Sequence, residues 1–458
     1  MILKRWSIDE RREIRATFLT LRRALRLRRP NFAMLNSRAG AAVAVATMIA
    51  LVATGCTEKL DGSAGCPLTC VDQSVQITTV TLDAVQVDST VLGGLGKGTE
   101  PEMLLASRGD TLDTRVIIRF DTLPSRTVTS ATDTGVPINY ADSAMLRLYV
   151  DSAASKIGVP VTVSVYDVDD TTAVDDTSAA AVAPLFTPAR LITSAQFAPG
   201  TIADSVRIQL PTAFVLAKAQ ARARLRLGLQ VSASTSVEFR VLSGESGFSS
   251  RLSMRVSKDT SVAPVVMAPY SLTPTDNLSI AQSVADFTIV VKGTPPPLPG
   301  ILTIGGLPGT RAYLSFNIPS SISDSSLVVA ATLVLTQQAS ASPDPTDSMA
   351  IQPFLVLAGP GVVDPSKAAQ IVAPVSVLGL SPLRTPPGTS GVREVQIGPA
   401  FKYWAVQTAA ELPRAIVLQS LQEDYSAQQA FFYSSSSDPA LRPKLRISYT
   451  PRARIGVP

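Results

Sequence analysis

Arg115-Val-Ile-Ile-Arg-Phe120-Asp121, followed by Thr-Leu-Pro124, returns late in the chain as Arg311-Ala-Tyr-Leu-Ser-Phe316-Asn317, followed by Ile-Pro319. Branched and aromatic residues run up to a turn of Asp or Asn and Pro, which is how a β-strand and its exit are written. Four more matches follow in the same order. Ala144-Met-Leu-Arg-Leu148 answers Ala331-Thr-Leu-Val-Leu335, and Ile208-Gln-Leu-Pro-Thr-Ala213-Phe214 answers Val395-Gln-Ile-Gly-Pro-Ala400-Phe401. Gly228-Leu-Gln230 answers Val417-Leu-Gln419, and Phe239…Arg251-Leu252 answers Phe432…Lys444-Leu445. A period of about 190 residues is far too long for a solenoid and suits two domains of one kind.

Working outward, VQITTVTL, AMLRLYVD, VPVTVSVYDV, SVRIQL, RLRLGLQV, VEFRVL and RLSMRVS alternate apolar and polar residues between turn residues, so the chain is expected to be all-β. The expected domains are 74–256 and 278–450. Residues 257–277, with Pro264, Pro269 and Pro274, are read as a linker, and 451–458 as a loose tail. Phe120, Phe316, Phe214 and Phe401 sit in apolar contexts and are assigned to the cores. Arg115 and Arg311 are expected at strand ends, pairing with loop carboxylates. Trp404, the sole Trp after the leader, is read as packed with its N–H satisfied.

Ahead of the repeats, Ala41–Ala53 is uncharged and almost wholly apolar, and shorter than the ~20 residues a spanning helix needs. It leads into Ala53-Thr54-Gly55-Cys56, which resembles the bacterial lipobox, where the cysteine is lipidated and becomes the N-terminus. Residues 1–55 are therefore read as a leader and lipoprotein signal peptide, with Met34 a candidate true start. A cytoplasmic basic helix and a loose twin-arginine signal at Arg22-Arg23 are the alternatives. Of the 41 Lys+Arg and 36 Asp+Glu, 11 and 3 fall in the leader, leaving 30 and 33. The exported chain is thus mildly acidic, and the basic balance gives no ground for nucleic-acid binding. Residues 56–73 form a polar tether carrying Cys66 and Cys70, an even pair suited to a local disulfide in an oxidising compartment. Thr57, rather than Asp, follows the cysteine; under the sorting rule of the lipoproteins it resembles, that implies the outer membrane.

The chain has no histidine, which removes imidazole bases, Ser-His-Asp arrangements and imidazole metal sites. Glu100 and Glu102 flank Pro101 without a second carboxylate motif beside them, and no phosphate-cradling glycine loop opens a helix. The expectation is a non-enzyme without a cofactor. The ligand-like cluster is Asp167, Asp169, Asp170, Asp175 and Asp176. Clustered loop carboxylates suit Ca²⁺, which takes about six to eight oxygens, though the EF-hand glycine and terminal Glu are missing. A solvated acidic loop is the plainer reading, and the second copy has only Asp344 and Asp347 nearby.

The R-x-x-[IL]-x-F-[DN] strand, the A-x-L-x-L strand, Ile397–Trp404 and the closing Phe432-Tyr-Ser-Ser…Arg442-Pro-Lys-Leu-Arg-Ile-Ser-Tyr449 together resemble the DNRLRE-domain family. That resemblance implies two tandem jelly-roll-like β-sandwiches of a bacterial extracellular protein, some relatives being carbohydrate-binding modules. The second copy carries it better, since Leu216 or a neighbour stands where the first would have its Trp. The expected function is a non-catalytic, lipid-anchored envelope protein with a structural, adhesive or binding role, its partners the membrane and envelope or matrix proteins. The alternative is a carbohydrate-binding surface lipoprotein acting on polysaccharide, with a polysaccharide-degrading enzyme third. Exposed coplanar tyrosines, for example Tyr313, Tyr403 or Tyr425, would favour sugar.

Overall fold

The structure, a computed structural model, describes residues 77–93, 98–127, 135–170, 178–270, 285–339, 348–359, 361–373, 381–386, 388–405 and 413–451, all within the compact unit Val75–Pro458. Cys56, Cys66, Cys70, Asp175, Asp176, Asp344 and Asp347 lie outside the described residues.

An N-terminal arm carries β1 (Thr78–Leu82) and β2 (Val85–Leu92). The first repeat follows with β3 (Glu102–Arg108), β4 (Leu112–Phe120), the short β5 (Arg126–Thr127) and β6 (Val136–Pro137), β7 (Ser143–Tyr149) and β8 (Val161–Asp167). It continues with β9 (Leu191–Phe197), β10 (Ser205–Leu210), helix α1 (Thr212–Gln220), β11 (Leu225–Ala233), β12 (Val237–Leu242) and β13 (Arg251–Arg255). An internal arm carries β14 (Val265–Met267) and β15 (Asp286–Lys292). The second repeat opens with β16 (Ile301–Gly305), β17 (Thr310–Phe316), β18 (Ser326–Gln338), β19 (Met349–Val356), β20 (Val372–Ala373) and β21 (Leu383–Thr385). It closes with β22 (Gly391–Gln396), helix α2 (Gly398–Trp404), β23 (Ala415–Ser420), β24 (Gln429–Tyr433) and β25 (Lys444–Pro451).

The protein is an all-β sandwich protein, and its two halves share one topology. In the first, the sheet β12-β3-β4-β11-β8-β9 packs on β10-β7-β13-β14. In the second, β24-β16-β17-β23-β19-β20 corresponds to the former and β22-β18-β25-β1 to the latter. There β18 is long enough to pair with β24 as well, through Gln337 and Gln338, so the two sheets run into one. Each sequence match falls on equivalent elements: β4 and β17, β7 and β18, the β10–α1 and β22–α2 junctions, β11 and β23, and β12–β13 and β24–β25. Phe120, Phe316 and Phe401 are buried; Phe214 is half-buried against the first core. The β4 and β11 strands are buried on both faces, because a second apolar layer of Val182, Leu185 and Phe186 covers the outside of the sheet. Gly228 on β11 makes that approach possible, since a Cβ there would stand 2.5 Å from the Phe186 ring.

Strand pairing crosses the boundary read from the sequence. The arm β1–β2 precedes the first repeat, yet β1 pairs with β25 and β2 with β17 of the second. The internal arm precedes the second repeat, yet β14 pairs with β13 and β15 with β4 of the first. The segment 257–277 therefore contributes a strand, and each repeat lends its leading arm to the other. The two arms match in register: Thr90 stands opposite Ala312 and Thr288 opposite Val116, while Asp88 and Asp286 stand opposite Leu314 and Ile118. The chemistry matches too. Thr90 Oγ1 accepts the Thr303 N–H at 2.9 Å, and Thr288 Oγ1 accepts the Leu104 N–H at 3.0 Å. Asp88 accepts from the Ser435 N–H at 2.6 Å, and Asp286 from the Gly244 N–H at 3.1 Å, each at the exit of the equivalent strand. Alternation specifies a strand and its buried face but not its neighbour, so the exchange was not visible in either arm.

Between the sandwiches, Leu104, Ala106 and Leu112 of the first pack with Leu307 and Ala427 of the second. Arg240 on β12 spans the same junction. It donates to Glu102 at 3.1 Å and to Ser426 Oγ at 3.3 Å, and its guanidinium lies 5.9 Å from the Tyr425 ring centre.

Candidate functional site

The acidic stretch after β8 forms one wall of an open cleft of about 540 Å³ at the rim of the first sandwich. Asp167 ends the strand and folds back, its carboxylate accepting the Asp169 N–H at 3.2 Å. Helix α1 supplies Phe214 to the cleft and Lys218 beside it. Pro188–Arg190, the turn entering β9, supplies Arg190, and the approach to β11 supplies Arg224.

These cations meet the carboxylates directly. Lys218 Nζ lies 3.2 Å from Asp167 and 3.7 Å from Asp169, and 5.7 Å from the Phe214 ring centre. Arg224 donates through Nε to Asp169 Oδ1 at 2.6 Å and through Nη2 to the Asp170 carbonyl at 2.9 Å. Arg190 stitches the loop backbone, donating to the Asp167 and Asp169 carbonyls at 3.1 and 2.8 Å. The carboxylates of Asp167 and Asp169 are thus ion-paired with Lys218 and Arg224, and Asp170 meets Arg224 through its backbone carbonyl. A carboxylate held by a cation offers little to a second one. Among the described residues, no group of three or more acidic or sulfur side chains is placed to hold a metal. Sequence reading missed Arg190, Lys218 and Arg224, because they lie 20 to 55 residues downstream and only the fold gathers them.

Beside α2, the second sandwich has a mostly apolar crevice of about 50 Å³ lined by Ile318, Val328, Phe401 and Trp404. Trp404 is buried, with ring centres of Phe401 and Phe316 at 5.1 and 6.1 Å. Its packing is as expected. Its N–H is not satisfied by any group among the described residues.

A second cluster of charge lies at the junction. Arg311, at the start of β17, donates to the loop carboxylate Glu423 from Nε and Nη2, at 2.9 and 2.6 Å. Arg115 pairs instead with Asp113 on its own strand, at 2.8 Å, and stacks 4.5 Å from Phe186. Burial raises the Glu423 carboxyl against the lowering effect of Arg311. Beside it, burial first and then the charges of Glu423 and Glu100 push Asp424 up to about 7. Gly93 and Gly309 close over this pair; a Cβ on either would fall within 2.5 Å of the Glu423 side chain. The charge of Glu100 is thus felt by Asp424, on a loop more than 300 positions away.

The tyrosines named for sugar stacking do not form a platform: Tyr313 is buried, and Tyr403 and Tyr425 are half-buried. The exposed Phe248 leans on Tyr149 at 55°, not in a common plane. Among the described residues, no helix is long and apolar enough to cross a membrane.

No family model matches the chain, and no curated protein does. Solved structures show weak likeness. A chain named BspA_C_WT is 9% identical with a TM-score of 0.19, covering 76% of this chain and 90% of that one. The C-terminal domain of the Streptococcus pyogenes antigen I/II-family protein AspA is 8% identical with a TM-score of 0.16, covering 76% and 90%. The T=3 Penaeus vannamei nodavirus structure is 10% identical with a TM-score of 0.15, covering 92% and 98%. At these scores the likenesses carry no argument about this chain.

Proposed function

We propose that this chain is a non-catalytic envelope protein, lipid-anchored at Cys56, that braces or binds through a pair of interlocked sandwiches. The observation that supports the reading is the reciprocal exchange of arms. A chain built to open and close over a substrate gains from domains that move apart. This one ties each domain to the other by a backbone ladder, with a shared apolar patch and Arg240 between them. The short tether 56–73 would then hold a stiff body close to a membrane. The charged cleft at Asp167, Arg190 and Phe214 is the surface such a body offers to a polar partner, with cations and anions both at hand. The carbohydrate reading finds no coplanar exposed aromatic pair in its favour among the described residues.

The test uses whole chain expressed in a two-membrane host, labelled with a fatty acid and compared with Cys56→Ala. Label and outer-membrane fractionation are expected in wild type and lost in the variant. The released Cys56→Ala chain is then sedimented with isolated envelopes and with insoluble polysaccharides. Binding to envelopes alone is expected. Binding competed by soluble oligosaccharide would replace this reading with the sugar-binding one, and release of new reducing ends would overturn the non-catalytic assignment.

A further inference from the structure

The two exchanged arms are alike in pattern and unlike in how firmly they are held. In the internal arm Asp286, Phe287 and Ile289 are each no more than 3% exposed. In the N-terminal arm only Ala84 and Val91 are buried, and Val87 and Leu92 stand 43% and 61% exposed. The N-terminal arm is therefore held chiefly by its ladders, five paired positions on β25 and seven on β17, and by the Thr90 and Asp88 bonds. Segments with little buried apolar surface open locally at less cost than the whole molecule. Opening this one bares the edges of β17 and β25 together, and bared strand edges accept a further strand.

What fits that place is defined by the molecule itself. The sequence Asp88-x-Thr90-Val-Leu92 lies on β17, and Asp286-x-Thr288-Ile-Val290 lies on the equivalent β4. A second copy of the chain carries the same Asp-x-Thr strand. We propose that residues 78–92 act as a donor strand exchangeable between copies, so that the chain self-associates by seating its arm on β17 and β25 of a second copy. Within one chain the effective concentration of the arm is on the order of millimolar, so the closed monomer prevails in dilute solution. Crowding of copies on a surface shifts the balance. Each copy offers one arm and one groove, which gives a closed dimer when the exchange is reciprocal and a head-to-tail chain when it is not. The inference stands on the fold alone and does not depend on the lipid anchor.

Val87 and Ser315 face each other in the β2–β17 register and supply the test. Whole chain with Cys56, Cys66 and Cys70 changed to Ser is made as Val87→Cys, as Ser315→Cys, and as the double variant. The double variant should close an intrachain disulfide on oxidation at any concentration. The two single variants, mixed and concentrated before oxidation, should form a cross-linked heterodimer above the background of either alone. Its yield should rise ~tenfold for a tenfold rise in concentration, as a bimolecular step requires. Adding Thr90→Val and Asp88→Ala to the Val87→Cys chain should weaken seating of that arm and lower the heterodimer yield relative to the intact arm, whereas an unchanged yield would mean that the cross-link is a random collision and would overturn the proposal. If the double variant closes within the chain while the mixture gives no heterodimer above background at any concentration, the arm does not exchange and the proposal falls. Failure of the double variant to close would overturn it too, by removing the arm from the groove.

Discussion

Asp286 is 3% exposed on β15, and burial first, then the charge of Glu245, pushes its carboxyl up to about 7 against the help of the Gly244 N–H. Asp424 is raised to about 7 and Glu423 is raised as well, both chiefly by burial. Asp286 and Asp424 each bind a proton in the folded chain that the unfolded chain releases near its ordinary value of 3.8. Their protonated forms therefore contribute stability that is complete below about pH 4 and lost as pH rises through 7. The urea midpoint is expected to fall between pH 5 and pH 8, and Asp286→Asn to flatten that slope, because an amide keeps the Gly244 bond without a charge to bury. A midpoint that rises over this range, or an Asn variant with the wild-type slope, would refute the assignment.

At the scale of elements, the arms show what alternation in a sequence conveys. Repeat matching placed β4 with β17 and the β10–α1 corner with β22–α2, because conserved side-chain pattern tracks the buried face of a strand. It left out the arms' partners, since the residues of Val85–Leu92, VQVDSTVL, do not specify which edge the strand joins. The candidate cleft was legible only on its acidic side: Asp167 and Asp169 stand two positions apart in sequence, whereas Arg190, Lys218 and Arg224 reach them through a turn, a helix and a strand entry. Two threonines pin the arms with matching geometry. Thr90 bridges Ile301 O and Thr303 N, and Thr288 holds Leu104 N. Replacing either by Val keeps shape but strands a backbone N–H, at a cost of about 1–3 kcal/mol. Because the two lie in different sandwiches, the losses should add in Thr90→Val/Thr288→Val, measured by denaturant titration. A double variant no less stable than wild type would mean that these hydroxyls do not secure the arms.

For the whole molecule, exchange means that neither half cut at the boundary between the repeats is complete, and cutting the chain exposes this. Fragment 74–256 holds the arm that completes β17 and lacks the β15 that completes β4; fragment 278–450 holds β15 and lacks β1 and β2. Alone, the first would leave Ile117 and Val116 along an open β4 edge, and the second would leave Tyr313 and Leu314 along an open β17 edge. Unpaired central strands of that kind associate or fail to fold. Brought together, each fragment supplies what the other lacks, apart from the short β14. The expected outcome is that 74–256 and 278–450 are each aggregated or unfolded when expressed singly, and that co-expression yields a 1:1 complex with one cooperative thermal transition. Fragment 98–293 contains β3 through β15 without a foreign arm, so it should fold by itself as a monomer. Light scattering and calorimetry decide the matter. Two stable monomers from 74–256 and 278–450 that ignore each other in a mixture would mean that the sandwiches are independent and that the arms return to their own repeats.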